Sequence, residues 1–312
     1  MDKALIIIKS PGIGDLQILL GNIHHISKDI GGPVSVLAQK NTGAKAVFTY
    51  DKQHVNEIID LGKKDFFNII TKIKSKKFNK AYIYSDSIRL YLIARLSGIS
   101  KIYRYPFFSK KGKNYYKTAQ EFTEKILKKS INSSSKIYWD EKTIEIAKKN
   151  YDIKKDSKNI VCGISASGPT KRWDINNYIR LFEELNKKYK SNFFLAGGLK
   201  DEDLIKSVIN SNIGKNCLSF SKMNLSEAIP IIAASQYYIG NDTGWGHIAS
   251  GLGLKSLFLF MDSPPSAYGV YSKNITIICP EGLTVENTRH NTRGKDLISF
   301  NEVLKKSIEL IN

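Results

Sequence analysis

Cysteine is scarce in this 312-residue chain, which has three, at positions 162, 217 and 279. An odd number, far apart and in apolar or strand-like surroundings, suggests neither a CxxC metal site nor a disulfide framework, and it implies a reduced compartment. Proline is scarce too, with eight residues, and long apolar runs are missing. At the amino terminus five apolar residues, Ala4 to Ile8, are followed by Lys9 and Pro11, too short a run for a signal peptide or a membrane span. Two nucleotide fingerprints are absent as well. Gly12 and Gly14 are followed by Gln17 where the third glycine of GxGxxG belongs, which weakens any case for NAD chemistry, and the loop at 165–173 lacks the GxxxxGK[ST] spacing of a P-loop. No internal sequence repeat is visible. What remains is a soluble, cytoplasmic globular chain, long for one core and comfortable for two.

Acidic residues are outnumbered, 29 against 48 Lys and Arg, for a formal charge of +19. Residues 1–155 hold 30 of the cations against 14 acids, whereas residues 156–312 hold 18 against 15. A basic half meets nucleic acid, an anionic lipid surface or a phosphorylated substrate; a Lys/Asn/Ile-rich chain can also carry solvated lysines with no partner.

The pattern along the chain alternates. Ala4 to Ile8 reads as a buried strand, the loop Lys9-Ser-Pro-Gly-Ile-Gly-Asp15 follows, and Leu16, Leu19, Leu20, Ile23 and Ile26 then recur at helical spacing. Further strands are expected at Val34–Ala38, 57–61, 81–84 and 101–103, with helices at 66–73 and 87–96. Such alternation predicts a doubly wound parallel sheet. Residues 105–117 mix aromatics and cations without a period and read as a loop that touches a lipid or phosphate surface or is simply solvated. A helix at 140–149 and a Lys/Ser/Asn-rich stretch place a boundary near 155, dividing the chain into domains 1–155 and 156–312.

The second half repeats the plan. A strand at 159–164 leads into Ser165-Ala-Ser-Gly-Pro-Thr-Lys-Arg-Trp173, where hydroxyls, free N–H groups and Lys171 suit a phosphate cradle, before Asp174 caps a helix. A strand at 192–195 precedes Asp201-Glu-Asp203, which has DxD metal-motif spacing but reads better as the acidic first turn of a helix. Helix Leu225–Ala234 leads to the strand at 237–239, the turn Asn241-Asp-Thr-Gly-Trp-Gly-His247, a small-residue helix and a strand at 255–260. Ligands of such βαβ units sit at the strand's carboxyl end, over the helix N-terminus. Asp242, Thr243 and His247 occupy that place, His247 one turn beyond Thr243 and on its face. Asp242 and Thr243 could equally be helix caps, His247 a half-buried helix residue, and Asp15 a helix cap. A final helix is expected at Phe300–Ile311.

With these loops in view, the sequence resembles the heptosyltransferase family of bacterial lipopolysaccharide assembly, glycosyltransferase family 9. Lys9-Ser-Pro-Gly-Ile-Gly-Asp15 looks like its amino-terminal S-x-G-D loop, Ser167-Gly-Pro-Thr-Lys-Arg-Trp173 like its K-x-W loop, and Asn241-Asp-Thr-Gly-Trp-Gly-His-Ile-Ala249 like its D-T-G-x-x-H signature. The resemblance implies a GT-B fold: two Rossmann-like domains facing a central cleft, the first binding acceptor and the second nucleotide-sugar, with the last helix packing back on the first. It implies an inverting, metal-independent transferase with no cofactor, using ADP-heptose or another nucleotide-sugar donor and a phosphorylated lipid or glycan acceptor. Asp15 becomes the expected general base. Lys9, Gly14, Ser167, Thr170, Lys171, Asp242, Thr243, Gly244 and His247 become the expected substrate contacts. Trp245 and Gly246 depart from the Pro or Leu and the small polar residue usual there, and Lys200 stands near where heptose-using members often carry a nucleotide-binding Glu. The expected location is the cytoplasm, with peripheral contact at the anionic inner membrane. An epimerase of GT-B architecture is the alternative enzyme, and a non-catalytic nucleic-acid binder is disfavoured because the cations are scattered over many elements.

Overall fold

Two parallel sheets organise the chain, one in each of the units 1–138 and 139–312. The computed structural model describes residues 2–62, 66–106 and 114–312. The first unit runs β1 (Ala4–Ile8), α1 (Ile13–Ile30), β2 (Val34–Ala38), α2 (Ala44–Val47), β3 (Val55–Asp60), α3 (Phe66–Ser75), β4 (Lys80–Tyr84), α4 (Ile88–Leu96), β5 (Lys101–Arg104) and α5 (Tyr115–Leu127). Its sheet has the order β3-β2-β1-β4-β5. Strand β1 is central, with Ile6 opposite Val36 on one side and Tyr82 on the other. All five of its residues are buried, which is why it reads as a continuous apolar run and shows no alternation. Leu5 and Ile7 share a core with Ile69 and Ile73 of α3 and with Leu90, Ile93 and Ala94 of α4. Helix α1 packs beside α5 and stops at Gly31, whose φ of 73° lets its N–H turn back to the Lys28 carbonyl.

The second unit runs α6 (Glu141–Asn150), β6 (Lys158–Gly163), α7 (Ile175–Lys188), β7 (Ser191–Leu195), α8 (Glu202–Ile209), β8 (Cys217–Ser219), α9 (Leu225–Ala234), β9 (Tyr237–Asn241), α10 (Gly244–Gly251), β10 (Lys255–Leu259), α11 (Pro265–Tyr268), β11 (Ile275–Ile278) and α12 (Phe300–Ile311). The order β11-β10-β9-β6-β7-β8 is that of a doubly wound dinucleotide fold, all its pairings parallel. Its core gathers Trp173, Tyr178 and Phe182 with Leu257 and Leu259 and the inward face of α12.

The first unit closes at Tyr138, earlier than position 155. Helix α6, capped by the Asp140 carboxylate on Thr143 N–H, packs on α9 and so belongs to the second unit. Helix α12 packs on α7, β9 and β10 of that unit. Of the segment 105–117, residues 107–113 lie outside the described residues, and from Tyr115 it forms the first turn of α5. The cysteines are free, and burial pushes the Cys217 thiol up to about 12. No helix among the described residues is long and apolar enough to cross a membrane.

In such sheets a crevice opens where the strand order reverses, at the carboxyl ends of the strands. Those points fall between β1 and β4 and between β6 and β9. Each of the three polar loops singled out in the sequence follows β1, β6 or β9.

Candidate active site

In the first unit the loop after β1 carries Lys9, Gly14 and Asp15. Lys9 is exposed, and its carbonyl accepts from the Gln39 side chain at 2.7 Å, which ties the loop to the end of β2. Asp15 lies in the first turn of α1, half-buried, where the helix dipole favours a carboxylate. Its Oδ2 folds back over Gly12: a Cβ there would stand 2.7 Å from that oxygen. A side chain at position 12 would therefore push the carboxylate aside.

In the second unit the loops after β6 and β9 are joined by one residue. Asn241, fully buried at the end of β9, donates through Nδ2 to the carbonyls of Ile164 and Ser165, and its Oδ1 accepts from Trp173 N–H and Tyr178 Oη. Four hydrogen bonds exhaust the capacity of this amide. Ser167, Thr170 and Lys171 are thus fixed relative to Asp242, Thr243, Gly244 and His247. Ser167 is exposed, whereas the Thr170 hydroxyl donates to Asp262 at 2.7 Å. Arg172 donates to Asp201, whose other oxygen accepts from Gly198 N–H. Both Asp201 oxygens therefore hold protein donors, and Asp203 is exposed on the first turn of α8.

Asp242 is held by a relay. Its Oδ1 accepts from His247 Nε2 at 3.1 Å and its Oδ2 from the Ser263 hydroxyl at 2.6 Å. The Tyr271 hydroxyl meets His247 Nδ1 at 2.8 Å. In the neutral ring these partners assign the proton to Nε2, facing the carboxylate, with Nδ1 accepting from Tyr271. His247 is buried and its described partners are protein groups, so its geometric effect is to aim Asp242. Thr243 stands at the N-cap position of α10 without a side-chain capping bond, its hydroxyl 3.2 Å from Tyr238 Oη.

Burial alone would raise the Asp242 carboxyl. The hydrogen bond and charge of His247, the Ser263 hydroxyl and the charge of Lys171 outweigh it and hold the group below the ordinary carboxylate range. Burial also opposes ionisation of Asp262, where Thr170, the Arg293 N–H and Lys171 win in the same direction. A carboxyl lowered by folding stabilises the native state above its unfolded value of about 3.9, and that contribution is lost as pH falls through the folded value. Urea midpoints of wild type and Asp242→Asn should accordingly converge as pH drops below about 4. A gap that stays constant down to acid pH would show that the Asp242 charge does not stabilise the fold.

Gly246 lets α10 lie close on β9. A Cβ there would come within 2.6 Å of the Tyr238 ring and 2.7 Å of Phe258. Overpacking of this kind costs about 1–3 kcal/mol, so Gly246→Ala should lower the Tm by several degrees. An unchanged melting curve would show that the rings yield freely.

The residues named from the sequence thus form two groups, Lys9, Gly14 and Asp15 on the first unit and the other seven on adjacent strand ends of the second. Asn241, Asp262, Ser263 and Tyr271 were not among them. The sequence signal for Asp262 and Ser263 is their place directly after an apolar strand, where the prolines that follow suggest only a turn.

Two Rossmann-like sheets, each with a polar loop at its switch point, define a two-domain α/β protein of GT-B make-up. Residues 103–296 match the model of glycosyltransferase family 9 (heptosyltransferase), more than half of the chain, and the protein belongs to that family. It is 27% identical over 164 residues to lipopolysaccharide heptosyltransferase 1 of Campylobacter coli, an alignment covering 51% of this chain and 48% of that one. The chain thus spans about half the length of this curated relative. Over 99% of its length it superposes on a family 9 glycosyltransferase from Veillonella parvula, with TM-score 0.81, 15% identity and 97% of that chain covered. ADP-heptose lipopolysaccharide heptosyltransferase II of E. coli superposes with TM-score 0.77 at 17% identity, covering 99% of this chain and 98% of that one. At these identities the likeness of the structures concerns the fold.

Proposed function

We propose that the protein is an inverting, metal-independent glycosyltransferase that moves heptose or a similar sugar from a nucleotide diphosphate to a phosphorylated lipid or glycan acceptor of the lipopolysaccharide-core type. The donor is ADP-heptose or another sugar nucleotide. The observation that carries this reading is the Asn241 clamp, which sets a hydroxyl- and lysine-bearing loop beside the N-terminus of α10 at a switch point, in a chain of family 9.

An acceptor oxygen attacks the anomeric carbon as its bond to the diphosphate oxygen breaks, inverting the centre. The acceptor proton goes to the Asp15 carboxylate, and the electron pair of the broken bond leaves on the diphosphate. Negative charge grows on that leaving group, and donors already aimed at it lower the barrier most. Lys171, Ser167, Thr243, Gly244 and the N–H groups opening α10 have this role, with Asp242 and His247 ordering the sugar end. Asp242 accepts sugar hydroxyls, as an ionised carboxylate does.

The test is a product assay with a panel of sugar nucleotides. Mass transfer to a lipopolysaccharide-core acceptor, with no donor turnover in its absence, is the expected result. Donor isomerisation without acceptor would replace the proposal by an epimerase, and steeply salt-dependent RNA or DNA binding without any turnover would replace it by a nucleic-acid binder.

A further inference from the structure

Helix α4 buries Leu90, Ile93 and Ala94 in the core of the first unit, yet its opposite face is also apolar. Ile88, Leu92 and Leu96 are 52%, 41% and 54% exposed. They stand at i, i+4 and i+8, so they line up as one ridge about 12 Å long. Arg89 and Arg95 are exposed on its two flanks, 100° to one side of Ile88 and about 20° to the other by helical geometry. The neighbouring helix α3 adds Phe67, 78% exposed and the most open large apolar side chain among the described residues, its ring set edge-on to Phe66. A surface helix normally places polar residues on that outer face.

The segment that carries the ridge is predominantly basic. Residues 66–104 hold nine Lys and Arg and a single acid, Asp86. Glu57 and Asp2, from outside the segment, take up Lys76 and Lys80. Lys72, Lys74, Lys77 and Lys101 are exposed. Aliphatic and aromatic side chains inside a basic surround match a bilayer interface, where the apolar groups enter below the headgroups and the cations meet anionic phosphates.

We propose that the α3–α4 face, with Phe67, Ile88, Leu92 and Leu96 inserted and Arg89 and Arg95 beside them, docks the protein on an anionic lipid surface. The inference deepens the acceptor part of the function proposed above and rests on it, since a lipid-borne acceptor makes such docking useful. It also specifies which of the many cations of the first half face the membrane.

The experiment is vesicle flotation of the full chain with phosphatidylcholine alone and with phosphatidylglycerol added, at low and high salt, for wild type and for Phe67→Ser/Leu92→Ser/Leu96→Ser. Wild type should float with the anionic vesicles and be released by salt, and the triple variant should bind at least about tenfold more weakly with an unchanged melting temperature. Arg89→Gln/Arg95→Gln should weaken binding and flatten its salt dependence. Equal flotation of wild type and triple variant, or none by wild type, overturns the proposal. So does a wild-type dimer that the triple variant dissolves, since the ridge would then join two copies. Transfer to a lipid-free acceptor should be the same in wild type and variants. Failure of that transfer in every protein would overturn the enzymatic reading while the flotation result stands on its own.

Discussion

Replacing Asp15 by Asn should lower turnover by about 10²–10⁴-fold, the usual worth of a positioned general base, while donor affinity stays near its wild-type value. Asparagine keeps the size of the side chain and its fit over Gly12 but cannot take the acceptor proton. The donor contacts proposed above lie on the second unit, so a thermal shift on adding sugar nucleotide should be the same in both proteins. The competing role of Asp15 is structural, as an acid in the first turn of α1. That role is worth about 0.3–1 kcal/mol at a half-exposed helix end, enough to move a melting temperature slightly and too little to change turnover a hundredfold. A loss of kcat with an intact melting curve identifies the base; intact kcat removes Asp15 from the chemistry.

The strands and loops that build the site were legible in the sequence because their signals are local. Ala4 to Ile8 and Tyr237 to Ile239 are apolar runs closed by glycine-bearing polar turns, and burial on both faces of a parallel sheet demands that pattern. Helices Leu225–Ala234 and Phe300–Ile311 lie where periodicity put them. The edge strands Cys217–Ser219 and Ile275–Ile278 escaped, because three or four half-buried residues give too short a pattern to register. Helix α5 was hidden by its polar contacts: its buried positions are Ala119 and Thr123, and Thr123 is there because it pairs with the Tyr84 hydroxyl at 2.8 Å. Position 155 looked like a boundary from its lysines, whereas α6 is held to the second unit by packing on α9, a contact between residues about eighty apart. The clamp made by Asn241 was invisible for the same reason. Its partners Ile164, Ser165, Trp173 and Tyr178 become neighbours only when β6 pairs with β9. The buried trio His24, Asp51 and His54, with both histidines 2.7 Å from the carboxylate, likewise has no spacing that a sequence reading could catch.

Lys171→Ala should reduce kcat/KM by more than the loss of one phosphate contact. A single donor to a developing oxyanion is worth about 3–4 kcal/mol, or 10²–10³-fold. Lys171 also supplies a positive charge felt by both Asp242 and Asp262, each held ionised below the usual carboxylate range. Without it two carboxylates remain beside the place proposed for a diphosphate. Charges about 8 Å apart interact by on the order of 2 kcal/mol at an effective dielectric near 20, so repulsion adds to the lost attraction and weakens binding as well as turnover. A second substitution separates the two effects. Asp262→Asn in the Lys171→Ala background should recover part of the donor affinity and little of kcat, whereas in wild type the same change should weaken the loop, because Asp262 receives the Thr170 hydroxyl and the Arg293 N–H. Additive effects of the two substitutions on donor affinity would mean that Lys171 does not screen Asp262. Near-normal kcat/KM in Lys171→Ala alone would take the lysine out of the donor site and, with it, the charge balance on which the β6–α7 loop is assigned to the diphosphate.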